Sequence, residues 1–456
     1  MKKIRLFCVL CCFTSAIQAQ DIPQRAESVQ VTILAEVTPK GQKVNAVALE
    51  YEDNILSGDD LARLYQVQTS LDNKDKQART VLRAYVNNQA ATAPRAQAGK
   101  FVIVELDVKD SNADLYSLTT VNDKPIKFRA KNKTGDVIET EKIQAIRIPQ
   151  FYDEHLVYHV KQTGYLKLTN GKTLDKTEIR QSAVKNRVKT PFIDNFTARR
   201  ISLNDPDNNL NYRIYTPQAD ATQTRETKKY PLTVFLHGSG QVGTDNIAHM
   251  LSSKGAIATL QYEDGFVLAP QYDGVFDPFD DVNKGQRGGI HWQTDNRLQL
   301  VLKMIDETLN NHPNIDHNRI YLIGLSRGSE GALNLLLKRP HFFAGALLLS
   351  GREAHTLEWM DGNATKENLA SVKDSPMWFF HSKEDKVSPV QGSRINYQIL
   401  HEELKAPNVK YTEFTTEQAG DNGIVNDNSH NTWDAVFNSP EVMTWLLRQT
   451  RVEDKK

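Results

Sequence analysis

The 456 residues carry 56 Lys+Arg against 56 Asp+Glu, with no basic stripe. That balance argues against nucleic acid or an anionic membrane as the main partner. A chain of this length exceeds one hydrophobic core, so two domains are expected, and its spread of apolar residues, glycine and proline is that of a globular protein.

The chain starts Met1-Lys2-Lys3-Ile4-Arg5, runs through an apolar stretch from Leu6 to about Phe13, and reaches Ala19-Gln20-Asp21. A charged start, a short apolar run and a small residue at the cut predict a signal peptide spanning 1–19, and hence a secreted or periplasmic protein. The apolar run is too short to span a bilayer. All three cysteines, Cys8, Cys11 and Cys12, lie in this segment, so the mature chain is expected to hold neither disulfide nor thiol. Phe7, Leu10 and Cys11 precede them where a lipid-anchored chain needs a small residue, so no anchor is expected.

From Ser28 to about Val188 the pattern has period two. Strands are expected at 29–34, 44–49, 81–86, 101–106, 143–148 and 165–168. The last precedes Asn170-Gly171, a pair suited to two positive-φ positions of a tight hairpin. Short strands at this density predict an all-β, immunoglobulin-like sandwich over 20–190, with the polar run Ser182–Pro191 as linker. The role expected for this domain is structural, covering one side of its neighbour or mediating assembly.

From 191 to 456 the pattern changes. Strands are expected at 198–203, 210–215, 232–236, 266–269, 320–323, 346–349, 378–380 and 409–414, alternating with helical stretches. One helix carries Leu298, Val301, Leu302, Ile305 and Leu309 behind a Thr294 or Asp295 cap, and another opens at Ser439-Pro440. Continuous apolar strands between helices predict an α/β fold with a mostly parallel sheet flanked by helices.

Four elements for acyl transfer follow in chain order. Leu236-His237-Gly238-Ser239-Gly240 ends a strand with a turn whose backbone N–H can face a developing oxyanion; Ser239 is assigned that role, with Gly240 as the near alternative. Gly324-Leu325-Ser326-Arg327-Gly328 is a Gly-x-Ser-x-Gly turn between strand and helix, which makes Ser326 the candidate nucleophile and the Arg327 N–H the second oxyanion donor. Asp385 lies just past a later strand and can orient an imidazole, with Glu384 as its neighbour. His430, between the last strand and the last helix, is the candidate base. Trp292 and Trp433 are candidates to line a substrate pocket, with core packing the more frequent fate of tryptophan and the alternative for both. Asp273, Asp277, Asp280 and Asp281 lack a calcium-loop pattern, His312 and His317 lack zinc-site spacing, and no nucleotide fingerprint is present, so neither metal nor cofactor is expected.

The stretches Tyr230–Gly240, Ile315–Tyr321, the Ser326 turn and His430–Asp434 resemble the α/β-hydrolase superfamily, in particular secreted esterases of the polyhydroxybutyrate depolymerase and feruloyl esterase type. The layout, sandwich first, is similar to bacterial esterases with an immunoglobulin-like N-terminal domain. Gln241, Arg327 and Ser329 depart from the residues usual in such relatives. None of the three is a reacting group, so they bear on substrate preference. The Arg327 cation suits an acidic substrate or pairs with Glu330, and pairing is the reading preferred here. The resemblance implies a serine esterase acting on a small-molecule or polymer-linked ester. A peptidase of the same fold is the alternative, and a carbohydrate- or partner-binding protein with a degenerate hydrolase domain is the alternative of another class.

Overall fold

The computed structural model describes residues 29–56, 61–122, 126–131, 136–142, 145–217, 228–286, 288–356, 363–419 and 426–451. The expected signal peptide, and Ile143 and Gln144 of one expected strand, lie outside these residues.

The N-terminal half is a sandwich of two sheets. The first has the order Val188–Lys189, Gln30–Thr38, Gly41–Glu50, Phe101–Leu106, Val81–Asn87, and the second Thr177–Ser182, Leu156–Gln162, Tyr65–Leu71, Gln77–Arg79. Val31, Ile33, Val47, Leu49, Val102 and Val104 from the first sheet pack against Tyr65, Val67, Tyr158 and Val160 from the second. Alternation along each strand sends these side chains to the shared face. Part of the expected linker is a sheet edge, since Val188–Lys189 pairs in parallel with the opening strand, Val188 opposite Ile33.

One turn differs from expectation. Leu166–Lys167 pairs with Thr173–Leu174, but only Gly171 takes a positive φ (84°), and Asn170 does not. The Leu168 N–H donates to Lys172 O and the Gly171 N–H to Leu168 O, so the loop has three residues with glycine in the left-handed position.

A separate two-stranded ribbon, Tyr116–Asn122 paired with Ala145–Phe151, reaches toward the second half. Its Ile146 joins the large core that contains Leu236, Val242 and Trp292. Val37, from the opening strand, joins the core on the other face of the catalytic sheet, with Phe235, Ile323 and Phe437. The N-terminal half thus contributes apolar side chains to both cores of its neighbour, with Ile148 also packed against the first and Tyr116 against the second.

The C-terminal half is one eight-stranded sheet. Its strands are β1 (Thr197–Ser202), β2 (Asn209–Tyr215), β3 (Tyr230–Leu236), β4 (Phe266–Gln271), β5 (Ile315–Leu325), β6 (Gly345–Leu349), β7 (Met377–Ser382) and β8 (Val409–Phe414). The order is β1-β2-β4-β3-β5-β6-β7-β8; β2 runs antiparallel to β1 and β4, and the remaining pairs are parallel. The flanking α-helices of five or more residues are α1 (Asp295–Asn311), α2 (Arg327–Lys338), α3 (Gln391–Gln398), α4 (Trp433–Phe437) and α5 (Pro440–Leu447). On α1, Leu298, Val301, Ile305 and Leu309 are buried at helical spacing, as expected, while Leu302 is half-buried against the same core. Thr294 occupies its N-cap position, yet its hydroxyl donates to Asp277 Oδ2 (2.9 Å) instead of capping. Ser439 does cap α5, accepting from the Val442 N–H. This is the expected α/β arrangement, with parallel strands buried on both faces, and it brings the C-terminal ends of β3, β5, β6 and β7 to one edge.

Candidate active site

Ser326 stands between β5 and α2 with φ 53° and ψ −120°, a conformation outside the regions open to an unstrained L-residue. The two glycines explain how it is held. A Cβ on Gly324 would lie 2.1 Å from Gly328 O, and one on Gly328 would lie 1.9 Å from Leu236 O. Only bare backbone lets α2 start this close to β3 and β5. The Ser326 N–H donates to Leu349 O (2.8 Å), so the turn is also tied to β6.

His430 approaches from the loop before α4. Its backbone is pinned on both sides: the N–H donates to Asn428 Oδ1 (3.0 Å) and the carbonyl accepts from Ser350 Oγ (2.8 Å). His430 Nε2 lies 2.8 Å from Ser326 Oγ and Nδ1 lies 2.6 Å from Asp385 Oδ2. A carboxylate oxygen only accepts, so Nδ1 carries the proton and Nε2 is free to accept from the hydroxyl.

Asp385, one turn beyond β7, is fully enclosed at its side chain. Oδ1 accepts the N–H groups of Val387 (2.8 Å) and Ser388 (3.0 Å); Oδ2 accepts His430 and also His381 Nε2 (3.1 Å). Burial raises the carboxyl pKa, but the hydrogen bonds from His381, His430 and the backbone outweigh it and hold the group well below the usual carboxylate range. Glu384 turns away and accepts from the Thr416 N–H and hydroxyl.

Ser239 and Gly240 follow Gly238, where an added Cβ would lie 3.2 Å from Ser326 Cβ, so this turn faces the serine; the Arg327 N–H opens α2 beside it. The turn is supported from behind. His237 Nδ1 bonds Gly238 O (2.6 Å), and burial, with His249 nearby, pushes the imidazole down to about 3, keeping it neutral. Gln271 Nε2 donates to Gln241 O (2.8 Å). The Arg327 guanidinium pairs with Glu330 (3.1 Å), as preferred from the sequence, and Gln293 donates to the same carboxylate.

The two tryptophans part ways. Trp292 is a correction to the expectation that it lines a pocket: it is 0% exposed, its Nε1–H donates to His237 O (3.0 Å), and its ring packs against Tyr272 (4.6 Å). It braces the turn that carries Ser239. Trp433 meets the His430 ring edge-on at 5.4 Å and lines a cleft of about 630 Å³ between the two halves, with Gly240, Gln241, Tyr116, Arg147 and Tyr152. The residue that sequence reasoning passed over is His381, hidden in the apolar run of β7. In the acidic loop, Asp277 accepts from Thr294 and Asn296 at the start of α1, Asp280 from the Gly288 N–H and Asp281 from the Asn283 N–H. Among the described residues no cluster of His, Cys, Asp and Glu is arranged for a metal, and no helix is long and apolar enough to cross a membrane.

Comparisons with known proteins agree with this architecture. Residues 30–175 match the esterase immunoglobulin-like N-terminal domain and residues 218–422 the phospholipase/carboxylesterase family. Among solved structures, a thermostable esterase is similar at 26% identity and TM-score 0.66 over 92% of this chain and 99% of its own. An acylaminoacyl peptidase from Pyrococcus horikoshii matches at 14% identity and TM-score 0.40 over 91% of this chain and 71% of its own. Est1E from Butyrivibrio proteoclasticus matches at 15% identity and TM-score 0.34 over 55% and 95%. A comparison with curated proteins found no match. The chain therefore joins an esterase immunoglobulin-like domain to an α/β-hydrolase domain of the phospholipase/carboxylesterase family, and it is a carboxylic ester hydrolase.

Proposed function

We propose that this hydrolase works through Ser326, His430 and Asp385 by way of an acyl-enzyme. His430 Nε2 takes the Ser326 proton as Oγ attacks the ester carbonyl, and Asp385 stabilises the imidazolium that forms. The Ser239 and Arg327 N–H groups, with Gly240 adjacent, receive the oxyanion. His430 then protonates the departing alcohol, and water enters by the reverse path. The observation that carries this reading is the unbroken line of hydrogen bonds from Ser326 Oγ through His430 to Asp385, at 2.8 and 2.6 Å.

The cleft beside Gly240 and Trp433 is where the remainder of a small or polymer-linked ester extends, with the sandwich as its far wall. Processing after Ala19, export, and a domain boundary near residue 190 belong to the same proposal. A fluorophosphonate should label the wild type and not Ser326→Ala; equal labelling of both refutes the assignment. Turnover of matched ester and amide substrates separates esterase from peptidase, and a series of aryl esters of increasing chain length defines the acyl preference. Mass measurement of exported protein locates the cut.

A further inference from the structure

His381 is fully buried at the end of β7, beneath the line just described. Its Nε2 faces two acceptors, Ser388 O (2.9 Å) and Asp385 Oδ2 (3.1 Å). Neither can donate, so Nε2 carries a proton. Nδ1 faces Ser393 Oγ (2.8 Å) on α3, and a hydroxyl can donate to it. Every polar atom of the ring therefore has a partner, and only one neutral tautomer satisfies all of them.

Asp385 consequently has two imidazole N–H groups on the same oxygen. His430 sits on the solvent side, with its side chain 9% exposed, and His381 on the interior side with none. The backbone N–H groups of Val387 and Ser388 fix Oδ1. Those bonds set the position of one oxygen but leave the tilt of the carboxylate plane to whatever holds the other. A loop residue with one partner on a second loop would not be fixed in that respect. The second histidine, on a central strand and braced by α3, supplies the missing constraint.

We propose that His381 is a positioning residue whose Nε2–H fixes the carboxylate of Asp385 toward His430 and shares the charge of Oδ2 between two imidazoles. This rests on the Ser326, His430 and Asp385 assignment. Two consequences follow. The carboxylate is held without relying on substrate, and the charge facing His430 is tempered by a second donor on the same atom.

The test compares two substitutions at one site. His381→Phe removes the donor while nearly preserving ring shape; His381→Gln keeps an N–H near the Nε2 position. His381→Phe should lower kcat about ten-fold, the scale of one hydrogen bond to an ionised group, with KM within two-fold by the logic of an interaction that acts on the transition state. The acid limb of its kcat/KM profile should move to higher pH, because Oδ2 then stabilises only the His430 cation. His381→Gln should recover most of the rate and the original limb. Wild-type kcat and an unmoved limb in His381→Phe overturn the proposal. Equal loss in both variants with an unmoved limb also overturns it, since that is packing alone. If either variant fails to fold, the wild type decides through nitrogen-15 histidine NMR: an Nε2–H tautomer for His381 upholds the proposal and an Nδ1–H tautomer sinks it. A wild type that fluorophosphonate does not label at Ser326 fails the parent assignment instead, so the two failures are distinguishable.

Discussion

Replacing Asp385 by asparagine puts the hydrogen-bond logic of the site under direct test. The amide is nearly isosteric with the carboxylate, so packing is preserved and only the donor pattern changes. Oδ1 receives two backbone N–H groups, from Val387 and Ser388, and neither can become an acceptor. The amide oxygen must take that place, which forces the NH₂ into the position of Oδ2. There it meets His430 Nδ1 and His381 Nε2, both donors in the native protein. To accept from the amide, His430 must move its proton to Nε2, the atom 2.8 Å from Ser326 Oγ. A protonated Nε2 has no lone pair for the serine proton, so general-base catalysis is lost while binding is not. The expected fall in kcat is about four orders of magnitude, with KM changed by no more than a few-fold. The assay is steady-state hydrolysis of a soluble aryl ester, with circular dichroism to show that the variant is folded. A folded Asp385→Asn enzyme within ten-fold of wild-type kcat would refute the reasoning.

Gly328→Ala should destabilise the protein by at least about 2 kcal/mol and abolish turnover, because the new methyl would lie 1.9 Å from Leu236 O, a backbone atom with nowhere to go; an unchanged denaturant midpoint would contradict this. His237 and His249 are held at about 3 chiefly by burial, whereas each takes up a proton near pH 6.5 when unfolded. Between about pH 6.5 and 3 the unfolded chain therefore binds more protons, so stability should fall on acidification by about 1.4 kcal/mol per pH unit for each histidine. Asp385, held low, adds loss of the same sign as pH drops below the ordinary carboxylate range. Urea unfolding across that window measures the slope, and a flat profile would count against buried neutral imidazoles. Ile146→Ala should cost about 2 kcal/mol by leaving a void beside the Val242 turn, and should lower kcat by loosening the Ser239 turn; a melting temperature equal to wild type would show that the ribbon does not support the catalytic core.

The second half was legible because its strands are continuous apolar runs, and the candidate Ser326 and Asp385 stand out just beyond strand ends against Val, Ile and Leu. The sandwich was less so. Tyr65–Leu71 and Leu156–Gln162 are central strands, yet they bury Thr69, Ser70, His159 and Gln162. Thr69 and Gln162 share the face of Val67 and Val160, where alternation requires apolar residues, and Gln162 accepts from Tyr51 (3.0 Å); Ser70 and His159 bond each other (3.0 Å) on the opposite face. His381 was hidden for the complementary reason: it directly follows the apolar run Trp378–Phe379–Phe380, and its partners on α3 and in the loop beyond are brought near only by folding. Trp292 follows the strand ending near Pro270, which suits a pocket wall as well as a core, and its packing on His237 and Tyr272 arises only on folding.

The chain leaves the first module zipped onto the very strand with which that module begins. Past Lys189, the Thr190 hydroxyl accepts from Gln42 (2.7 Å) and its N–H donates to Asp194 (2.6 Å), so even the short connection is laced down at both ends. Such a joint has little slack for a swivel. On the proposed reading, the cleft beside Trp433 is then a fixed aperture, a gauge that sorts esters by the width they present rather than a jaw that shuts around whichever one arrives.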